Sequence, residues 1–223
     1  MSAEPSGVGP GGTSGAGGRR KPRGPYRKSA ARREQILEAA YEAVDEYGER
    51  ASLQDIADRV GVTQPALTYY FPTREDLLLA VLEHRDVVGK KVGHATYATG
   101  QMAENMAASA HHTTDHPGLA KLYVTLSAAA TDPDSSAHIY FTERYRNLAA
   151  EVTKDLSTLQ QSGVFRSDEP AENLARVIVA VLDGLQIQWM HDPSVDIAAI
   201  AESFTRVFMA ATAASGAEAT PHE

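Results

Sequence analysis

Residues 52–71 read SLQDIADRVGVTQPALTYYF, and this stretch decides the fold. Leu53, Ile56, Ala57 and Val60 recur at helical spacing, and Ser52 stands before them as an N-cap. Gly61 lets the chain turn sharply, because a residue without Cβ enters left-handed backbone at no steric cost. Val62 can then drop into a core. Thr63 is placed to cap a second helix, with Pro65 in its first turn, where a missing N–H does no harm. Two short helices joined by a glycine turn fit a helix-turn-helix, whose second helix enters the DNA major groove. They also fit a helical hairpin inside any α domain.

The residues just upstream favour the first reading. The chain carries a formal charge of −8, unevenly placed. Residues 19–33, RRKPRGPYRKSAARR, hold eight of the 21 basic residues and no acid, leaving 13 against all 29 acids elsewhere. A basic arm on an acidic body suits a protein with one polyanion-binding region. The plain alternative is a solubilising tail, but its place directly before a DNA-reading candidate suits phosphate or minor-groove contact. Residues 1–18 are Gly/Ser/Pro-rich, with too little apolar surface to offset the entropy of ordering, and Pro22, Gly24 and Pro25 keep the first half of the arm out of a helix. A disordered tail with a basic arm is therefore expected over 1–30. The absence of cysteine excludes disulfides, thiolate catalysis and cysteine metal sites. No apolar run approaches the roughly 20 residues that span a bilayer, and no hydrophobic signal core opens the chain. A soluble cytoplasmic protein is expected.

The remaining periodicity is helical throughout. A helix is predicted from about Ala31 to Tyr47, with Ile36, Ala40, Val44 and Tyr47 on one face. Thr73 caps a further long helix carrying Leu77, Leu78, Val81 and Leu82, with acids in its positive first turn. Further helices follow around Met102–Ala110, Leu119–Leu126 and Phe141–Leu159, then from Pro170 to about His191 and from about Val195 to Thr212. The last two differ from the rest. Apolar residues including Leu174, Val177, Ile178, Val181, Leu182, Leu185 and Ile187 wrap around the helix, and Phe204, Val207 and Phe208 widen the stripe of its successor. A helix apolar on nearly all sides is buried on nearly all sides. In a small bundle the extra face most simply meets a second subunit, making a four-helix interface; the alternative is a helix interior to a monomer.

The segment from Arg32 to Leu82 resembles the tetracycline-repressor (TetR) family of bacterial regulators. The resemblance rests on ILEAA in the first helix, then Ala57, Gly61-Val62, Ala66-Leu67, Tyr69-Tyr70-Phe71 and Thr73-Arg74-Glu75-Asp76-Leu77-Leu78. DGLQIQW, Asp183–Trp189, also looks like the penultimate helix of such proteins. Pro65 departs from the small or basic residue often found in relatives. The resemblance implies an all-α chain: a helix-turn-helix DNA-binding domain over 31–77, an effector-binding and dimerisation domain over 78–214 and a frayed tail over 215–223. It further implies a homodimer on double-stranded DNA at a palindromic operator, usually as a repressor.

On that resemblance the helix Gln64–Tyr70 lies in the major groove. Gln64 can pair its amide with adenine, Thr68 can bond a base edge or phosphate, and Pro65 and Ala66 can meet a thymine methyl. Tyr69 and Tyr70 would bond phosphates, Thr63 would stand at the helix start, and Leu67 and Phe71 would pack. Ser52, Gln54, Thr73 and Arg74 would position phosphates at two other helix starts, where free N–H groups favour an anion. An effector pocket, expected to take a lipophilic molecule, would draw on Met102, Met106, Tyr123, Ser127, Phe141, Tyr145, Gln186 and Trp189. Arg144 and Arg146 are candidates for an anionic ligand, against the plainer reading of surface ion pairs. The dimer interface would use Leu174, Ile178, Val181, Leu185, Phe204, Val207 and Phe208.

Enzyme motifs are missing: there is no nucleophile elbow, phosphate-cradling glycine loop or His-Glu-x-x-His. His111, His112, Asp115 and His116 have conceivable metal spacing, but Pro117 beside them predicts a loop of solvated histidines. No cofactor, metal or catalytic residue is expected. The competing function is a helical small-molecule binding protein without DNA activity, for which the basic arm and the 52–71 pair would have no use.

Overall fold

The computed structural model describes residues 25–92, 102–163, 165 and 168–215. Among these are nine α-helices and no strand. The first, α1, spans Pro25–Tyr47, so residues 25–30 are helical where a disordered arm was expected. Proline is compatible with a first helical position because its fixed φ is helical and its missing N–H has no intrahelical partner there. The rest of the basic arm lies outside the described residues.

A 3₁₀ turn, Gly48–Arg50, leads to α2, Leu53–Val60. Ser52 caps α2 as the sequence predicts, and Gly61 sits at φ 70°, ψ 40°, in the left-handed region that turns the chain into α3, Gln64–Tyr70. The long α4, Arg74–Val92, follows. Ile36, Ala40 and Val44 of α1, Ile56 of α2, Leu67 of α3 and Leu77 and Leu82 of α4 close one core with Phe71. Fully burying side chains of this size contributes about 1.5–3 kcal/mol each, which is what holds a seven-residue helix in place.

The second half contains α5, Met102–Asp115; α6, Pro117–Ala129; α7, Ala137–Gln161; α8, Ala171–His191; and α9, Ile197–Ser215. Here α5 packs on α9 and α7 on α8. Met102, Met106, Leu156, Ala175, Ile178 and Ala201 centre a second core.

The two cores meet where α6 starts. Leu119, Leu122 and Tyr123 of α6 belong to the first core although α6 is part of the second half of the chain. Gly118 touches the end of α1 so closely that a Cβ there would lie 2.3 Å from the Val44 carbonyl oxygen and 2.4 Å from that of Asp45. Beside it, His116 Nδ1–H donates to Asp45 Oδ2 over 2.7 Å. His116 and Tyr41 also meet edge to face, as do Tyr41 and His84, and His112 packs against His116. The solvated histidine loop expected here is therefore not what forms. Helix α5 runs through Asp115 and a single residue separates it from α6, since Pro117 fits a first turn. Among the described residues no cluster of three metal-ligating side chains occurs.

Replacing Gly118 by alanine sets a methyl against backbone that has no rotamer to change. Gly118→Ala is expected to destabilise the protein by about 1–3 kcal/mol in urea unfolding, the usual cost of overpacking. Unchanged stability would show that α6 and α1 part easily.

Candidate functional site

Two features stand out: an exposed short helix and a cavity between helices. Helix α3 turns only Leu67 fully inward; Gln64, Pro65, Ala66 and Tyr69 are exposed, Tyr69 to 78%, while Thr68 and Tyr70 are half-buried. The Tyr69 and Tyr70 rings meet edge to face at 5.1 Å. The Ala66 amide donates to Thr63 Oγ1, and the Thr68 hydroxyl donates to the Pro65 carbonyl, leaving the Thr68 oxygen free to accept. The first turn of α3 holds no acid, and Arg33 of α1 lies over the Phe71 ring at 4.8 Å.

The flanking helix starts are arranged differently. Ser52 and Asp55 satisfy each other: the Asp55 amide donates to Ser52 Oγ, and the Ser52 amide and hydroxyl both donate to Asp55 Oδ2. Thr73 and Asp76 repeat the pattern at the start of α4. At each of these starts a carboxylate of the protein thus takes the N-cap amide and hydroxyl and brings its own negative charge to the end expected to receive an anion. Arg74 donates to the Ala51 carbonyl, and the Gln54 amide to Asp58 Oδ1.

The cavity, about 1010 Å³ and partly open to solvent, is lined by α4, α5, α6, α7 and α8 with one residue of α9. Leu148, Val152, Val179, Leu182 and Leu185 give it an apolar wall, within the size range of small-molecule sites. On one side Arg144 grips Asp86 with two hydrogen bonds, Nε to Oδ2 at 2.7 Å and Nη2 to Oδ1 at 3.1 Å, and donates through Nη1 to the Tyr123 hydroxyl. Tyr123 and Tyr145 both donate to Asp183, at 3.1 and 2.7 Å. This network joins α4, α6, α7 and α8. Burial pushes the Tyr123, Tyr140 and Tyr145 phenols above their ordinary range, so all three keep their protons at neutral pH. Burial also disfavours the Arg144 charge, but the hydrogen bonds and charge of Asp86 outweigh it and hold its pKa high. Deeper in the wall, Gln186 accepts from Arg85 Nη2 at 3.1 Å and donates to the Ala120 carbonyl at 3.4 Å. Burial, then the neighbouring Arg85 charge, keeps His112 below its ordinary pKa and so neutral.

Of the residues chosen from sequence for a pocket, Tyr123 and Gln186 line this cavity. Tyr145 borders it through the Asp183 network and opens on a smaller depression between α7 and α8. Met102 and Met106 are buried in the second core and Phe141 in the first. Trp189 is half-buried against the second core, and the Ser127 hydroxyl donates to the Val124 carbonyl. Sequence reasoning missed Arg85, Asp86, His112 and Tyr140 as wall residues. For Arg85 a signal existed: Leu78, Val81, Leu82 and Arg85 stand at i, i+3, i+4 and i+7, which places a cation on the buried face of α4.

Of the residues chosen for a dimer interface, Leu174, Ile178 and Leu185 are buried within the chain's own second core, and Val181, Phe204 and Phe208 are half-buried against it. Val207 is exposed to 72%. Among the described residues, the exposed large apolar side chains of α8 and α9 are Val177, Ile187, Ile200 and Val207.

Comparison with known proteins gives consistent matches. Residues 36–81 match the family described as bacterial regulatory proteins, tetR family, and residues 102–217 the C-terminal domain described as BetI-type transcriptional repressor. No curated protein matches the chain. A TetR transcription regulator from Haloarcula marismortui ATCC 43049 is similar in fold, with a TM-score of 0.68 and 22% identity over 82% of this chain and 98% of that one. A transcriptional regulator from Saccharomonospora viridis, solved in complex with choline, gives 0.62 and 22% over 81% and 96%. The fatty acid degradation regulator FadR from Bacillus halodurans gives 0.63 and 18% over 79% and 97%.

The Asp86–Arg144 pair yields a stability test. Asp86→Ala leaves a largely buried guanidinium without its carboxylate and should cost on the order of 2 kcal/mol, less than for a wholly enclosed pair because Asp86 keeps some solvent. Asp86→Leu with Arg144→Met should recover most of that loss in the same denaturation measurement. A double variant as unstable as the single one would assign the loss to packing.

Proposed function

The chain belongs to the TetR family, and on that premise we propose that it is a dimeric repressor whose paired α3 helices read a palindromic operator until a small molecule in the cavity releases them. The observation that carries this reading is the α3 surface: a polar and aromatic face held outward by the burial of Leu67 and Phe71. Gln64 and Thr68 are assigned to base edges, Pro65 and Ala66 to apolar contact, and Tyr69 and Tyr70 to phosphates. With Asp55 and Asp76 beside Ser52 and Thr73, those helix starts contribute hydroxyl contacts to phosphate only by displacing an internal carboxylate. Positioning then falls more heavily on Thr63, Arg74 and the basic arm.

Dimerisation through α8 and α9 would cover Val177, Ile187, Ile200 and Val207, each exposed in the single chain. The apolar cavity wall supports a lipophilic body for the effector. Ligand and DNA are connected by packed groups: His112 in the cavity wall rests on His116, whose ring nitrogen holds Asp45 at the end of α1. Release follows if the ligand favours an arrangement in which α4 and α6 shift against α1, so that the two α3 helices no longer match successive major grooves about 34 Å apart. Chromosomal DNA as the target implies work in the cytoplasm.

Footprinting of the intergenic DNA beside its gene should protect an inverted repeat, and Gln64→Ala with Thr68→Ala should lower the affinity by about 1–3 kcal/mol per lost base contact. Protection of no repeat, or an unchanged affinity, would sink the assignment. In sedimentation, Val177→Glu with Val207→Glu should turn a dimer into a monomer of unchanged helicity; a dimer that survives uses another face.

A further inference from the structure

The cavity holds an unusual cation. Arg85 is only 6% exposed and belongs to the cavity wall, yet among the described residues it has no carboxylate partner. The adjacent acid, Asp86, is gripped on both oxygens by Arg144. What Arg85 has is one hydrogen bond, Nη2 to Gln186, and the face of Tyr123 at 5.2 Å; its Nε is buried with no acceptor at all. The Asp86 charge still acts on Arg85 from nearby, but a buried guanidinium without a direct ion pair is costly, and a fold that needed only packing would be served at least as well by an apolar side chain of similar volume. Two further residues of the same wall carry buried polar atoms without partners, Tyr140 through its hydroxyl and His112 through Nε2. Gly89 keeps this region open, since a Cβ there would lie 3.2 Å from His112 Cδ2.

Resting on the reading of the cavity as the effector site, we propose that the effector is an organic carboxylate, its anionic group taken by Arg85 with the Tyr140 hydroxyl as a second donor. The guanidinium supplies the unpaired Nε and a planar fork suited to a carboxylate, and the phenol supplies a neutral donor. Leu148, Val152, Val179 and Leu182 then receive the apolar body. Glu83, Glu143, Glu151 and Asp155 also line the cavity, so a single anionic group placed on Arg85 is tolerated better than a dianion.

The test is calorimetric titration of the full chain with benzoate, octanoate and decanoate, against benzamide, octanamide, decanamide and choline. At least one carboxylate should bind about tenfold or more tightly than its amide, the margin expected of a charge-assisted pair. Arg85→Met should lose that preference while melting no lower than the parent chain, because an unpaired buried charge has been removed. Tyr140→Phe should weaken the same carboxylate about threefold or more. If Arg85→Met fails to fold, Arg85→Lys, which keeps the charge but loses the fork, should reduce the preference instead. Amides that match every carboxylate, choline binding where carboxylates do not, binding of none of these probes, or an Arg85→Met variant with unaltered preference would overturn the proposal. The effector reading is judged separately, by whether a bound probe lowers affinity for the footprinted DNA. An Arg85-dependent carboxylate that leaves DNA binding unchanged keeps the anion site and removes its regulatory role. A neutral or cationic probe that releases DNA does the reverse.

Discussion

The rest of the structure depends on the close approach of two backbones at Gly118. Helix α6 begins against the last carbonyls of α1, with no side chain between them. That contact lets Leu119, Leu122 and Tyr123 fill the first core from a helix of the second half, and it brings His116 within hydrogen-bond distance of Asp45. The two halves therefore share apolar surface instead of being tethered only by α4. A displacement of α6 cannot be absorbed at a flexible boundary, because packed interiors yield little and shift as units.

The cavity has two kinds of polar wall. Around Asp86, Arg144, Tyr123, Tyr145 and Asp183 the groups satisfy one another, and such a network fixes the mutual positions of four helices. Around Arg85, Tyr140 and His112 they do not. The first set builds the chamber; the second leaves it chemically incomplete.

Local features were legible in the sequence. The caps at Ser52 and Thr63, the left-handed Gly61 and the inward Leu67 and Phe71 depend on neighbours within a few residues, and they fold as read. The start of α1 was misplaced because Pro25 was taken as a breaker where it serves as a first-turn residue. The histidines at 111–116 were misjudged because their surroundings come from Tyr41 and Asp45, some 70 residues earlier. The cavity wall was mostly illegible because five helices create it by failing to fill a space, and an unfilled space has no periodicity. On α8, apolar residues on every side gave no means of telling the face toward the second core from the outward one.

Helix α3 is seven residues long, with two tyrosines, a threonine and a proline. Isolated helices shorter than about 12–15 residues are marginal in water even with better formers, so α3 has no existence apart from the core that Leu67 and Phe71 enter. That core also takes in α6, more than forty residues further along the chain. The segment that presents α3 and a helix that walls the cavity therefore share one buried core, and a change in how α6 packs reaches the ground on which α3 stands.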